Sequence, residues 1–478
     1  MLFNSWQFGL FLPVVFGIYW AVPNKYRWVL LFAASYYFYM SWNIKYVVLI
    51  LFTTIISYIS ALMIEKYPDR PKLKRIILFL TLVSCLGVLF VFKYFNFFSE
   101  SIVNLAGIFS IQLHPVTLKL LLPVGISFYT FQTLSYVIDV YRGNVKAERH
   151  FGIYATFISF FPQLVAGPIE RTSNLLPQIK GEHSFNYNQA TYGLKLMAWG
   201  FFKKLCIADN FAVYADRVFN DIYSYKGFSL ILVTFLFTIQ IYCDFSGYSD
   251  IARGTAKLFG IELMENFKSP YFSASIKEFW SRWHISLSTW FRDYVYIPLG
   301  GNRVSKARHY MNLLITFIIS GLWHGSNWTF IIWGAVHGFA QIIENALTRR
   351  KDYRGFEWAV RVLFTFTFCM FAWVFFRVQN FMEAVYVFMN MFYGIESTVA
   401  YLHDGFSTIG LNKGTFAIFC VNLCVMSLYD YFSREKDVIT AVTENRHSFI
   451  RYAFYFGLIT LIIFFRAIRN TEFVYFQF

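Results

Sequence analysis

Apolar positions run along this chain in helix-length blocks parted by short polar stretches, as in Ile76 to Phe98 or Phe228 to Ile241. A membrane barrel strand alternates apolar and polar residues over about ten positions. Continuous blocks therefore predict helices. Crossing hydrocarbon takes about 20 mostly apolar residues, because a backbone polar group left without a partner there is costly. Candidate spans fall at roughly 6–22, 28–42, 44–64, 76–98, 118–138, 151–168, 188–208, 228–252, 311–323, 327–347, 356–377, 414–432 and 449–468. The first run, Trp6 to Val22, has no basic residue before it and no small-residue cleavage site after it, so it reads as a retained span. The expected fold is all-α and polytopic, with about 11–13 spanning or re-entrant helices around a central tunnel.

The middle of the chain breaks this regularity. Pro162 and Gly167-Pro168 interrupt the run from Phe151 to Ile169. The segment Asn266 to Arg308 is too polar to span, yet Trp280, Trp283, Trp290, Tyr294 and Tyr296 suit a headgroup-level or re-entrant helix. The apolar run before Gly321 is only about 13 residues long, which predicts a re-entrant half-helix. Irregular backbone survives at membrane depth only when buried in protein or lining a cavity. A tunnel built between about residues 160 and 345 is the expectation. No repeat or second soluble domain interrupts the chain. It reads as one membrane domain, 1–478, in three stretches: N-terminal helices 1–118, a core 119–347 and C-terminal helices 348–478.

Composition sharpens this reading. Hydrophobic residues make up 57% of the 478 positions and charged ones only 14%, where a soluble domain carries about 25%. A soluble enzyme is excluded, and so is a disordered chain. The net charge of +15 would suggest nucleic acid in a soluble protein. Here the basic residues cluster in short loops: Lys25 and Arg27, Lys66 to Arg75, Arg142 to Arg149, Arg303 to Arg308 and Arg349 to Arg354. Kept in the cytoplasm, these loops place the N-terminus outside, the linker 67–74 inside, 99–117 outside and 142–149 inside. No nucleic-acid partner is expected; membrane lipids are. The six cysteines contain no C-x-x-C and read as packing residues.

Ionisable residues in apolar runs mark function or tightly paired structure. His324 is the most isolated, in I-I-S-G-L-W-H-G-S-N-W, with Gly321 and Gly325 leaving space beside its ring. A second string, Lys277 to Arg303, holds His284 between tryptophans. If helical, it sets Trp280, Trp283, Leu287, Trp290 and Phe291 on one face and Ser288 one turn from His284. Arg282, Arg292, Asp293 and Arg303 supply its charge; an interfacial helix with arginines on lipid phosphates is the plainer account. Asp244 and Asp250 lie deep in a span with Arg253 near, a substrate site or an internal ion pair. His337 reads as polar glue between helices. No nucleophile elbow, Walker loop, dinucleotide fingerprint or H-E-x-x-H occurs, and no metal is expected.

Together these residues resemble the membrane-bound O-acyltransferases, nearest the bacterial branch that acetylates alginate, peptidoglycan and cellulose. The resemblance rests on L-L-P-V-G-I-S-F-Y-T-F-Q from Leu121, F-P-Q-L-V-A-G-P-I-E-R from Phe161 and the two histidine strings, over about residues 120 to 345. It implies that His324 is the catalytic histidine and His284 a second histidine facing the same tunnel. It also implies a bacterial cytoplasmic (inner) membrane and a polysaccharide acceptor outside. A partner of the SGNH-esterase type then finishes the transfer. Relatives that move D-alanine to teichoic acid share both histidines but are typically shorter at the C-terminus, which favours the acetyl branch.

The chemistry suits the residues independently. Acyl transfer to a hydroxyl needs a base, and an imidazole in an apolar setting stays neutral and able to take the proton. Trp323, Ser326, Asn327 and His284 are candidate donors to the oxyanion; Trp283 lines the same string. The expected donor is a cytoplasmic thioester, acetyl-CoA or an acylated carrier protein, acting as co-substrate with no bound cofactor. Arg282, Arg292 and Arg303 would hold its phosphates. A transporter for a lipid-linked or small anionic substrate would use the same tunnel without chemistry, but repeats and paired broken helices, frequent in transporters, are absent. A pure scaffold leaves the intramembrane histidines unexplained.

Overall fold

The computed structural model describes residues 1–165, 167–347, 353–467 and 473–474. Among them the regular structure is entirely helical. Seven helical runs are long and apolar enough to cross a membrane: Ile44–Lys66, Pro71–Ile108, Phe228–Leu258, Trp328–Leu347, Gly355–Arg377, Lys413–Ser433 and Ser448–Phe465. Trp6–Ala21 is apolar but shorter. Of the Arg349 to Arg354 cluster, Arg349, Arg350 and Lys351 lie outside the described residues, as does the last position of the expected 449–468 span.

Packing groups the chain into two compact units. One comprises Met1–Met197 with Ile251–Met264, the other Ala198–Asp250 with Glu265–Phe478. In the first unit, Val47–Lys66 packs against Ile126–Arg142 and Pro71–Leu89. The expected 118–138 span is displaced, its helix running Ile126–Arg142. The first ten residues of the expected outer stretch 99–117 are helical, because a wide turn at Phe90–Tyr94 carries Pro71–Leu89 on into Phe95–Ile108. Pro162, in the first turn of the short helix Phe161–Leu164, follows the break after Phe151–Ser159, a position where its missing N–H costs nothing. Gly125, at φ +75°, lies so close to the Leu164 carbonyl that a Cβ would sit 2.3 Å from its oxygen. Glu170 is fully buried, accepting from Asn174 Nδ2 at 2.7 Å and the Met264 amide at 2.6 Å.

The second unit holds the histidine strings. The expected half-helix before Gly321 is instead a full helix, Lys306–His324. Apolarity marks what lies in hydrocarbon, whereas the hydrogen-bonded turns continue through the polar residues 306–310. With Trp328–Leu347 it forms an antiparallel hairpin whose crossing is glycine on glycine. A Cβ on Gly321 would meet the Phe330 carbonyl oxygen at 2.2 Å, and one on Gly334 the Phe317 oxygen at 2.3 Å. The space that Gly321 and Gly325 were expected to leave for another molecule is filled by this neighbour: a Cβ on Gly325 would lie 2.1 Å from the Phe330 ring. Two further helices, Phe381–Asn390 and Thr398–Thr408, fall where no span was expected. They are short and two-sided rather than uniformly apolar.

Two buried lysines of this unit face carboxylates. A wide helical turn at Phe202–Ala208 presents Lys203 and Lys204. Lys204 Nζ bridges Asp209 at 2.9 Å and Asp244 at 2.7 Å, with all three side chains essentially inaccessible. Lys203 Nζ meets Asp250 at 2.6 Å and donates to Ser246 at 2.9 Å. The second Asp244 oxygen accepts from the Val474 amide at 2.7 Å. Tyr242 donates to Asp430 at 2.7 Å. Neither lysine drew notice in the sequence, although both stand in a candidate span.

Candidate functional site

Local sequence dictates a break where a continuous helix was expected. Ser275 caps Ile276–Arg282, its Oγ accepting from the Glu278 amide at 3.0 Å. At His284 the backbone turns left-handed, φ +44° and ψ 54°, before Ile285–Phe291 resumes. A non-glycine residue there is strained and must be held by its surroundings. Asn266 supplies the hold. Its carbonyl accepts from Ile285 N–H at 2.9 Å and its side chain from Ser286 N–H at 3.2 Å, so it satisfies the start of the second helix. The Arg282 carbonyl accepts from Lys268 N–H at 3.0 Å. The face of Trp280, Trp283, Leu287, Trp290 and Phe291 is buried, but the turn re-aims His284 away from the direction a straight helix would give it.

His284 and His324 come together. Their ring centroids lie 6.4 Å apart, and both residues are buried, His284 fully. His324 is the last residue of its helix and sits against Trp323 at 5.0 Å, Trp333 at 5.1 Å and Phe376 at 5.3 Å. His284 sits against Phe245 at 4.6 Å and Trp323 at 6.0 Å. Trp283 packs on Phe279 and Trp373 at 5.4 and 5.0 Å, forming the next layer. His337 accepts from Trp280 Nε1 at 3.2 Å and lies 4.9 Å from Trp333. Two buried imidazoles thus lie side by side among aromatic rings.

Just beyond His324 the wall turns polar. A cavity of about 490 Å³ is lined by Ser326 and Asn327 of the loop after His324, by Asp216 and Asn220, and by Arg377 and Gln379. Phe330 and Val378 complete it. Phe330 faces this cavity and stacks edge-on with Phe376, the ring against His324, at 4.8 Å. Asn327 is tied down: its Nδ2 donates to the Gln379 carbonyl at 2.5 Å and its Oδ1 accepts from Thr329 N–H at 3.1 Å.

The remaining candidates are placed elsewhere. Asp244 belongs to the Lys204 cluster. Arg282 pairs with Glu278 at 2.7 Å, Arg292 with Asp293 at 2.8 Å, and Arg303 is exposed; none of them lines the cavity. Among the described residues no group of three His, Cys, Asp or Glu is arranged to hold a metal ion. Sequence reasoning passed over Asn266, Trp333, Phe376, Arg377 and Gln379. Only Arg377 carried a usable signal, as a cation closing a long apolar run.

Comparison with known proteins adds an independent line. The profile of the membrane-bound O-acyltransferase family matches residues 148–385, which include both histidines and the polar cavity. A probable alginate O-acetylase of Pseudomonas syringae pv. tomato is 40% identical over 91% of this chain and 84% of its own length. The peptidoglycan O-acetyltransferase of Helicobacter pylori is 38% identical over 82% of this chain and 80% of its own. A teichoic acid D-alanyltransferase of Streptococcus thermophilus is 31% identical over 53% of this chain and 65% of its own.

Proposed function

This chain belongs to the membrane-bound O-acyltransferase family, and from that premise we propose that it moves an acetyl group from a cytoplasmic thioester to a polysaccharide outside the bacterial inner membrane. It is an acyltransferase enzyme and a multi-pass membrane protein. The acetyl branch is supported by the two relatives named for O-acetylation, which match far more of the chain than the D-alanyl relative does. The acceptor is alginate- or peptidoglycan-like on the same ground. An SGNH-esterase-type partner outside the membrane works with it on the polymer.

One observation carries the chemical reading: His324 ends its helix in an aromatic chamber, with His284 beside it and a polar cavity immediately beyond. In this mechanism the His324 imidazole takes the proton from the acceptor hydroxyl as its oxygen attacks the thioester carbonyl. The tetrahedral oxyanion collapses, the carbon–sulfur bond breaks, and the leaving thiolate recovers the proton from the imidazolium. Positioned proton transfer of this kind is worth about 10²–10⁴-fold. His284 faces the same reacting centre and stabilises the oxyanion by donation from its ring. Trp283 and Trp323 exclude water around them. Acetyl-CoA or an acylated carrier protein is the donor, with Arg282, Arg292 and Arg303 as phosphate contacts at its entry.

The two basic clusters near residues 303–308 and 349–354 put those ends of the hairpin in the cytoplasm. The His324 end and the polar cavity then face outward, where an acceptor arrives. The test is His324→Ala in nanodiscs with isotope-labelled acetyl-CoA and, separately, a labelled carrier thioester. We expect thioester-dependent transfer by wild type to fall by at least about a hundredfold in a variant that melts at the wild-type temperature. A variant that unfolds instead would make His324 a structural residue.

A further inference from the structure

We infer that His337 and Glu344 of the helix Trp328–Leu347 are positioning residues for the transfer, fixing the segment that carries His284 against the hairpin that carries His324. The inference rests on the proposed acyl transfer, because it assigns a purpose to the spacing of the two imidazoles. They belong to different stretches of chain, so their separation must be set by a third element. His284 follows the helix Ile276–Arg282, whose seven residues are too few to be stable alone.

Two attachments from one helix face hold that short helix. The Glu344 carboxylate accepts from the Ile276 amide at 3.1 Å and the Lys277 amide at 3.0 Å. These are donors that a helix start leaves without intrahelical partners, and the negative charge suits the positive end of the helix dipole. One turn further on, Trp280 Nε1 donates to His337 Nδ1 at 3.2 Å. His337 and Glu344 are two helical turns apart and share a face. A single attachment would let Ile276–Arg282 pivot. Two of them, one turn apart, fix its angle as well as its place.

The same face reaches His324. Trp333, one turn before His337, lies 4.9 Å from the His337 ring and 5.1 Å from the His324 ring. Trp280 packs its indole against Trp333 at 5.6 Å and against Phe317 of the helix Lys306–His324 at 5.3 Å. His337 is fully buried, and its Nδ1 is committed to accepting from Trp280. What the geometry asks of position 337 is therefore an acceptor, with no acid or base required. An asparagine carries its side-chain oxygen at the branch point where histidine carries Nδ1. His337→Asn thus keeps the bond, whereas His337→Leu deletes it.

Full-length wild type and variants in nanodiscs would be compared by hydrogen exchange at residues 276–291 and by kcat and KM for the thioester donor. His337→Leu and Glu344→Ala should each speed exchange across 276–291 while leaving 306–324 as in wild type. In His337→Leu, kcat should fall about tenfold to a hundredfold while KM changes by less than about twofold, since the donor still binds but the imidazoles are misplaced. His337→Asn should return both readouts to near wild type. Trp280→Phe removes the same bond from its donor end and should match His337→Leu, and the double variant should be no worse than either. It carries the same test should His337→Leu fail to fold. Normal exchange in His337→Leu and Glu344→Ala, or normal kcat beside fast exchange, overturns the assignment. So does an inactive His337→Asn with normal exchange, which would make the ring at 337 a catalytic residue. Exchange needs no substrate, so a wild type without transfer activity would end the acyl-transfer reading while exchange still decides the tether.

Discussion

Two regions of the Ala198–Asp250 and Glu265–Phe478 unit keep ionisable groups away from water, and they do so in opposite ways. Around Phe202–Ala208, each buried lysine faces carboxylates at 2.6 to 2.9 Å, so charge is cancelled where it lies. Around His284 and His324, the neighbours include the rings of Phe245, Trp323, Trp333 and Phe376. A matched ion cluster locks helices but has no capacity left for a reactant. The contrast separates groups held by opposite charge from imidazoles held among rings, even though both are buried and titratable.

Substitutions can break this contrast or sharpen it. The largest effect should follow Lys204→Ala, which strands Asp209 and Asp244 without their shared cation. Removing one partner of a buried pair costs about 3–5 kcal/mol, and thermal unfolding in detergent should register it, with activity lost only as folded protein is lost. A Lys204→Ala protein of normal melting temperature and poor turnover would move the cluster into the catalytic group. Next is Gly321→Ala, which forces the hairpin apart at the Phe330 carbonyl. Because displacements near 1 Å can cost about a hundredfold in rate, turnover should fall on that scale with a smaller change in stability. Equal turnover would mean that His324 tolerates a looser crossing than the geometry implies.

The smallest effect concerns Glu170, in the other unit, where a carboxylate is buried without a lysine. Burial pushes its carboxyl up from 4.5 to about 7, against the hydrogen bonds from Asn174 and Met264 and the nearby charges of Arg253 and Arg171. A carboxyl raised in the folded state favours the protonated fold. Its contribution is therefore fullest below about pH 4.5 and is lost as pH rises through about 7. Glu170→Gln should flatten that part of the melting-temperature profile between pH 4.5 and 7. An unchanged slope would assign the dependence to another group.

Much of this organisation was legible in the residues. Long apolar runs located Trp328–Leu347, Gly355–Arg377 and Lys413–Ser433 within a residue or two, since hydrocarbon tolerates few substitutes. The two histidines stood out because imidazole is rarely spent there. What escaped was decided by distant contacts. The spacing from Trp280 to Phe291 fits one helix, and Asn266, 18 residues before His284, holds the turn there. Gly321 looked like room for a ligand because small size alone cannot distinguish a vacancy from a close helix crossing. Lys203 and Lys204 drew no notice, since two of their three acidic partners, Asp244 and Asp250, lie 40 and 47 residues further along the chain.

The left-handed turn at His284 also bears on what that position demands of its side chain. Few side chains accept φ +44°; glycine and asparagine do so most readily. A glycine or asparagine in place of His284 would therefore keep the turn while discarding the imidazole, so the backbone at this point does not itself require the ring.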